Sequence, residues 1–202
     1  MVAVIDYGVG NLFSLLSSLK AIGADAVITS DIETIRNAER IILPGVGAFE
    51  DAAKKLFESG LHEVLIEEAK KGKPVMGICL GMQLLFEKSF EYGEHKGLGL
   101  IKGDILPFEG KIDKSLKIPQ IGWNALKLTK KDCPLWKHIK EGDYVYFVHS
   151  YFAELSDATA SESEYGINFT AAVSDGNIYG CQFHPEKSGD VGLNILRGFC
   201  EA

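Results

Sequence analysis

No stretch of this sequence stays apolar for the roughly 18 residues that a membrane-spanning helix needs. No basic leader, short apolar core and small-residue cleavage pattern opens it, so a targeting peptide is not expected. Basic residues are in deficit, with 21 Lys and Arg against 28 Asp and Glu. The net charge of −7 leaves no basic patch for a nucleic-acid backbone. Lys70-Lys71 and Lys130-Lys131 are too short to change that and read as solvated surface. Cysteine is sparse: Cys79, Cys133, Cys181 and Cys200 are widely spaced and form no C-x-x-C. Neither a disulfide framework nor a zinc site is expected, and nothing calls for a metal or organic cofactor. A reducing cytoplasm fits best, with Cys133, Cys181 and Cys200 as packing thiols. There is no internal repeat, low-complexity tract or Pro/Ser linker, so residues 1–202 are expected to form one domain.

What is present is the composition of a soluble globular protein, 46% hydrophobic and 24% charged. The first half alternates strand-like and helix-like segments. Residues 2–6, 26–29, 40–43 and 74–78 read as buried strands, and 12–22, 49–56, 61–71 and 82–88 as helices. That alternation predicts an α/β fold in three layers, a mostly parallel sheet covered on both faces. The second half is richer in strands, at 117–128, 143–152, 159–165, 170–174 and 177–183, so the sheet is expected to be mixed. Asp175-Gly176 reads as a hairpin turn, residues 90–96 as a polar loop, and 191–200 as a closing amphipathic helix.

Gly77-Ile78-Cys79-Leu80-Gly81 sits where a buried strand meets a helix. This is the pattern of a nucleophile elbow with Cys in the nucleophile's place. The sharp turn strains the central residue, and glycine on either side removes the collisions that side chains would make. The turn lifts the sulfur clear of the sheet and sets it at a helix N-terminus, which favours thiolate. It also aims the Leu80 N–H where an oxyanion would form.

An activated thiol needs a base, and the base needs an orienting group. His184-Pro185-Glu186 follows a strand. Extended backbone through Pro185 would face His184 and Glu186 the same way, His184 as base and Glu186 as its partner. Pro44-Gly45-Val46-Gly47 ends another strand, and loops at the carboxyl ends of parallel strands line such sites. It is a candidate for a second oxyanion donor.

His62 and His138 are expected to be solvated, His95 to lie in the polar loop, and His149, taken alone, to be a structural histidine. Gly8-Val9-Gly10 with Asp31 resembles a dinucleotide-binding fingerprint. Phe13 fills the third glycine position, where close packing needs a small residue, so nucleotide binding is set aside.

Several segments together resemble one family, the class I (triad) glutamine amidotransferases. They are Asp6-Tyr7-Gly8-Val9-Gly10-Asn11-Leu12, Leu43-Pro44-Gly45-Val46-Gly47, Gly77 to Leu85, Gly122-Trp123-Asn124, Tyr146-Phe147-Val148-His149-Ser150-Tyr151 and Gln182 to Ser188. Within the family the chain is most similar to the glutaminase subunits of imidazole glycerol phosphate synthases in histidine biosynthesis. The resemblance implies glutamine as substrate and Cys79, His184 and Glu186 as triad. Val46, Gly47 and Leu80 would serve the oxyanion, and Gly45, Gln83, Glu91, His149 and Ser150 the bound glutamine. Asn11, Trp123, Tyr146 and Lys187 would lie at the partner interface and ammonia exit. It further implies a (β/α)₈-barrel cyclase partner in a heterodimer. A paralogous synthase with another acceptor, a stand-alone Cys-His hydrolase and a non-catalytic docking subunit are the competing readings.

Overall fold

The structure is a computed structural model describing residues 1–202. The first half runs β1 (Val2–Ile5), α1 (Leu12–Ala21), β2 (Ala26–Thr29), α2 (Ile32–Asn37), β3 (Arg40–Leu43), α3 (Phe49–Glu58), α4 (Leu61–Lys70), β4 (Val75–Ile78) and α5 (Leu80–Leu85). Then come β5 (Lys88–Ser89), β6 (His95–Lys96), β7 (Asp104–Pro107), β8 (Gln120–Ala125), β9 (Lys127–Leu128), β10 (Tyr144–His149) and β11 (Tyr151–Ala153). The chain ends with β12 (Thr159–Glu164), β13 (Asn168–Asp175), β14 (Ile178–Cys181) and α6 (Gly189–Cys200).

The central sheet has eight strands in the order β2-β1-β3-β4-β14-β13-β12-β9. The first five are parallel, and β13, β12 and β9 add on antiparallel. Alternate side chains of each central strand enter different cores, as the two-residue period of a strand requires. Ala3, Ile5, Ile41, Leu43 and Val75 pack with residues of α2, α3 and α4 on one face. Val2, Val4, Ile42, Met76 and Ile78 pack with Leu15 and Leu19 of α1 and Ile195, Leu196 and Phe199 of α6 on the other. The three-layer, mostly parallel mixed α/β fold expected from the sequence is therefore present. No helix is long and apolar enough to cross a membrane.

The second half departs from the expected strands at two bends. The run predicted over 117–128 begins only at Gln120 and breaks at Leu126. Leu126 is buried and exchanges backbone hydrogen bonds with Gly142 and Asp143, which sends β8 to a two-stranded ribbon and β9 to the central sheet. The run over 143–152 breaks at Ser150, so β10 pairs with β8 while β11 joins a four-stranded sheet with β7, β5 and β6. That small sheet also claims His95 and Lys96 from the expected loop. The helix predicted over 82–88 is shifted to Leu80–Leu85, because Lys88 and Ser89 pair with Asp104 and Ile105. Helix α2, with six residues, is too short to show a period, and β7 has only Ile105 and Leu106 between Asp104 and Pro107, so neither carries a clear sequence signal. The β13–β14 hairpin is present, its two-residue loop being Gly176-Asn177 with Gly176 at φ +57°.

Candidate active site

The carboxyl ends of four parallel strands carry the site: Tyr7 beyond β1, residues 44–48 beyond β3, Cys79 beyond β4 and residues 182–186 beyond β14. Cys79 has φ 53° and ψ −112°, a conformation rare outside glycine. A Cβ on Gly77 would lie 2.6 Å from the Gly81 carbonyl oxygen and Met82 N, and one on Gly81 would overlap the Leu43 carbonyl. The two glycines are thus required by backbone contact, as the elbow pattern predicts. The Cys79 N–H donates to the Cys181 carbonyl at 2.7 Å, so the strained residue is anchored to β14. Leu80 opens α5, and the N–H of a first helical residue has no intrahelical acceptor.

His184 is tied down on several sides. Its N–H donates to the Tyr146 carbonyl at 2.9 Å, and its own carbonyl accepts the Ser188 hydroxyl at 2.6 Å. Ser188 Oγ in turn accepts the Tyr146 N–H at 3.0 Å. Nδ1 of His184 lies 2.8 Å from Glu186 Oε1, both side chains being almost fully buried. The route to this pair differs from the extended one expected. Residues Pro185–Lys187 form a 3₁₀ turn, with Pro185 at its first position, where a missing N–H costs nothing. The turn, rather than strand alternation, swings Glu186 back onto the imidazole. Burial works against a charge on His184, but hydrogen bonds to Cys79 and Glu186 and their negative charges prevail, raising its pKa from 6.5 to about 9.

Around the sulfur lies a cavity of about 390 Å³. It gathers Val46, Gly47, Cys79, Leu80, Gln83, Glu91, His149, Ser150, His184 and Lys187, all singled out from the sequence. The structure adds Pro119, Val148 and Tyr151 to the lining. The Val148 carbonyl is 4.0 Å from Cys79 Sγ. Gln83 is held by its amide, which donates to the Tyr151 carbonyl at 3.2 Å and to Gln182 Oε1 at 2.9 Å. Gln182, fully buried, turns its own amide to Cys79 Sγ at 3.8 Å. It was missed, although it stands two residues before His184 in the same motif.

Glu91 is half-buried, which raises its pKa, while the Phe49 N–H that it accepts at 2.6 Å and the nearby His95 oppose the rise. His149 is buried against Phe108, Phe147 and Phe169, with Nδ1 2.8 Å from the Tyr151 carbonyl. Since a carbonyl only accepts, Nδ1 carries the proton. Burial lowers the His149 pKa to about 4, so it is neutral and unsuited to act as the base.

Other sequence candidates stand outside the cavity. Gly45 packs behind it, where a Cβ would lie 2.7 Å from Gly81 N. Trp123 is 52% exposed on the β8–β10 ribbon, edge-on to Tyr146 with ring centroids 5.9 Å apart. Asn11 precedes α1 without capping it through its side chain. Asp31 is occupied as the cap of α2, accepting the Thr34 N–H at 2.8 Å, and Phe13 is 81% exposed rather than packed against a strand. Neither residue plays the part the dinucleotide pattern would give it. His138 pairs with Glu201 at the surface, whereas His62, expected to be solvated, packs tilted against Phe57 with ring centroids 4.4 Å apart.

Residues 3–201 match the family model for glutamine amidotransferase class-I. The chain belongs to the class-I glutamine amidotransferases. Like the members of this family it is an enzyme with glutaminase activity. Among similar proteins is the imidazole glycerol phosphate synthase subunit HisH of Caldanaerobacter subterraneus subsp. tengcongensis, 52% identical over all of this chain and 98% of the relative. The HisH subunit of Wolinella succinogenes is 50% identical over all of this chain and 99% of its own. Solved structures share the fold at lower identity. A glutamine amidotransferase crystal structure superposes with TM-score 0.77 at 18% identity, covering 100% of this chain and 98% of the other. PurLQS from Thermotoga maritima gives 0.73 at 22% identity, covering 99% and 97%. The thiol, imidazole and carboxylate of Cys79, His184 and Glu186, singled out from the sequence, are brought together in this structure.

Proposed function

We propose that this chain is the glutaminase subunit of an imidazole glycerol phosphate synthase, releasing ammonia from glutamine for a partner subunit. The reading rests above all on the buried His184–Glu186 pair set against Cys79 at the elbow. Half-identity over full length to HisH subunits gives it its specific form.

In this mechanism Cys79 thiolate attacks the side-chain amide carbon of glutamine and forms a C–S bond. The oxyanion that develops is met by the Leu80 N–H and by the backbone of Val46 and Gly47. The C–N bond breaks as His184, charged at neutral pH, gives its proton to the leaving nitrogen. Ammonia departs and a γ-glutamyl thioester remains. Water then attacks the thioester while His184 takes a proton from it, and glutamate and Cys79 thiolate are restored. Glu186 holds the imidazole in orientation and balances its charge. The side chain of Gln83 and the strand end at His149 and Ser150 frame the glutamine, and Glu91 offers a carboxylate to its α-amino group.

Ammonia set free in water is lost to protonation, which favours delivery inside a complex. The exposed Trp123, with Tyr146, Lys187 and Asn11, is assigned to the docking face and ammonia exit. The partner is read as a (β/α)₈-barrel cyclase that makes imidazole glycerol phosphate and an aminoimidazole carboxamide ribonucleotide. Residues 1–202 act as one domain in the cytoplasm.

Purifying the chain with its natural partner and assaying glutamine hydrolysis with candidate acceptors tests the assignment. Acceleration by phosphoribulosyl aminoimidazole carboxamide ribonucleotide is expected. Acceleration by a different acceptor alone overturns the choice of synthase. Full glutamine turnover in a folded Cys79→Ala chain overturns the mechanism itself.

A further inference from the structure

Residues 44–49 lead from the end of β3 into α3 and present Val46 and Gly47 to the cavity. Side chains from elsewhere hold both ends of this run. At the far end Glu91 Oε2 accepts the Phe49 N–H at 2.6 Å. At the near end the Tyr7 hydroxyl donates to the Pro44 carbonyl at 2.8 Å. Tyr7 is buried and does not line the cavity, so it supports the loop from behind.

The packing at this end is close. A Cβ on Gly45 would come within 3.0 Å of the Tyr7 hydroxyl and 2.7 Å of Gly81 N. The Pro44–Gly45 peptide is therefore wedged between the phenol and the start of the elbow helix. A Cβ on Gly10 would lie 3.1 Å from the Pro44 ring, so the turn that follows Tyr7 closes on Pro44 as well. The middle of the loop is loose by comparison. Nothing lies within 4 Å of where a Gly47 Cβ would stand, and Val46 is 40% exposed.

We infer that Tyr7 is a positioning residue for glutamine hydrolysis: its hydroxyl fixes the Pro44–Gly45 peptide so that the next peptide can present the Val46 N–H to the oxyanion on Cys79. A peptide unit is planar, so holding its carbonyl fixes its whole plane. Only the two dihedrals of Gly45 then separate this fixed plane from the donor plane. Burial, and next the neighbouring Cys79 charge, raise the Tyr7 pKa far above neutrality, which keeps the phenol a donor throughout the working range. The inference rests on the reading of Val46 and Gly47 as the oxyanion loop.

Tyr7→Phe removes the hydroxyl and leaves the ring in place. In the complex with the synthase partner, kcat for glutamine hydrolysis is expected to fall about tenfold, with KM changed less than about twofold. Alkylation of Cys79 by iodoacetamide, followed on the Cys79 peptide by mass spectrometry, is expected to keep its rate, because displacement at that carbon builds no oxyanion. An unchanged kcat overturns the inference. So does alkylation that slows in step with kcat, which would mean damage to the thiol, or a variant that no longer folds, which would make the hydroxyl purely structural. Cys79→Ala run beside it separates the two levels. Retained turnover there sinks the triad reading, whereas a dead Cys79→Ala with a fully active Tyr7→Phe sinks only the role of Tyr7.

Discussion

Cys79, His184 and Glu186 are almost wholly buried, and His184 alone is tied by backbone or side-chain hydrogen bonds to Tyr146, Glu186 and Ser188. The aromatic face of the β8–β10 ribbon is the reverse: Trp123 and Tyr144 are 52% and 58% exposed, and the two-stranded ribbon pairs with no other strand. Yet the two regions share a strand, since the Tyr146 carbonyl and N–H hold His184 and Ser188 while its ring meets Trp123. The contrast separates two demands. On the proposed mechanism, the groups that move protons are the ones held at fixed distances by buried hydrogen bonds. The rings assigned by that proposal to a docking face are left open, at the cost of exposing apolar surface to water.

The largest effect should come from the buried side. Cys79→Ala is expected to lower glutamine turnover by about 10⁴-fold or more with the thermal midpoint preserved, as circular dichroism and a coupled glutamate assay would report. Gly81→Ala follows. The new methyl meets the Leu43 carbonyl, so the elbow must shift, costing about 2–4 kcal/mol of stability and at least tenfold in kcat. Urea titration with parallel kinetics measures both, and a variant as stable as the parent would show that the elbow yields freely.

Glu186→Gln should cost about 10–100-fold in kcat and also change the pH profile. The folded His184 pKa is raised, so the charged form, and the stability it brings, are fully present below 6.5 and lost as pH rises through about 9. Glu186 is one cause of that rise, so its neutralisation should draw the alkaline limb of kcat below pH 9. A limb that stays in place would detach Glu186 from His184.

On the open side, Trp123→Ala should leave partner-free glutamine hydrolysis within about twofold while weakening partner binding by about 2 kcal/mol, near thirtyfold in Kd. Calorimetry with the purified partner decides it, and equal loss of both properties would erase the contrast between the regions. Asn11→Ala is the smallest change. Its side chain caps nothing in α1, so stability should move by less than about 0.5 kcal/mol, and any effect should be confined to the complex.

The parts of the site legible in sequence are those whose chemistry is local. Gly77 is required because a Cβ there would strike the Gly81–Met82 backbone across the turn, a contact internal to the elbow, whereas Gly81 carries the same pattern but is pressed by the Leu43 carbonyl from the neighbouring strand. The strands of the parallel half were legible for a similar reason, since each is a short run rich in apolar residues, and α1, α3 and α4 are long enough to show a helical period. The bends at Leu126 and Ser150 were not, because they are set by which neighbouring strand is within reach. The 3₁₀ turn at Pro185–Lys187 lay between: the pairing of His184 with Glu186 was readable, and the route of the chain was not.

The sequence by itself singled out Cys79, His184 and Glu186, because a Gly-flanked Cys at a strand-to-helix turn and a His-Pro-Glu segment, each ambiguous alone, together supply a thiol, a base and an orienting carboxylate. Only the tertiary structure decided which groups stand around them. Gln182 reaches the thiol, Pro119 and Tyr151 line the cavity, His149 is kept neutral among aromatic rings, and Tyr7 bonds Pro44 across 37 residues. These contacts join segments far apart in the chain, at the ends of strands whose order is settled by hydrogen-bond pairing and shared burial. A local pattern carries no record of a partner that arrives from another part of the fold.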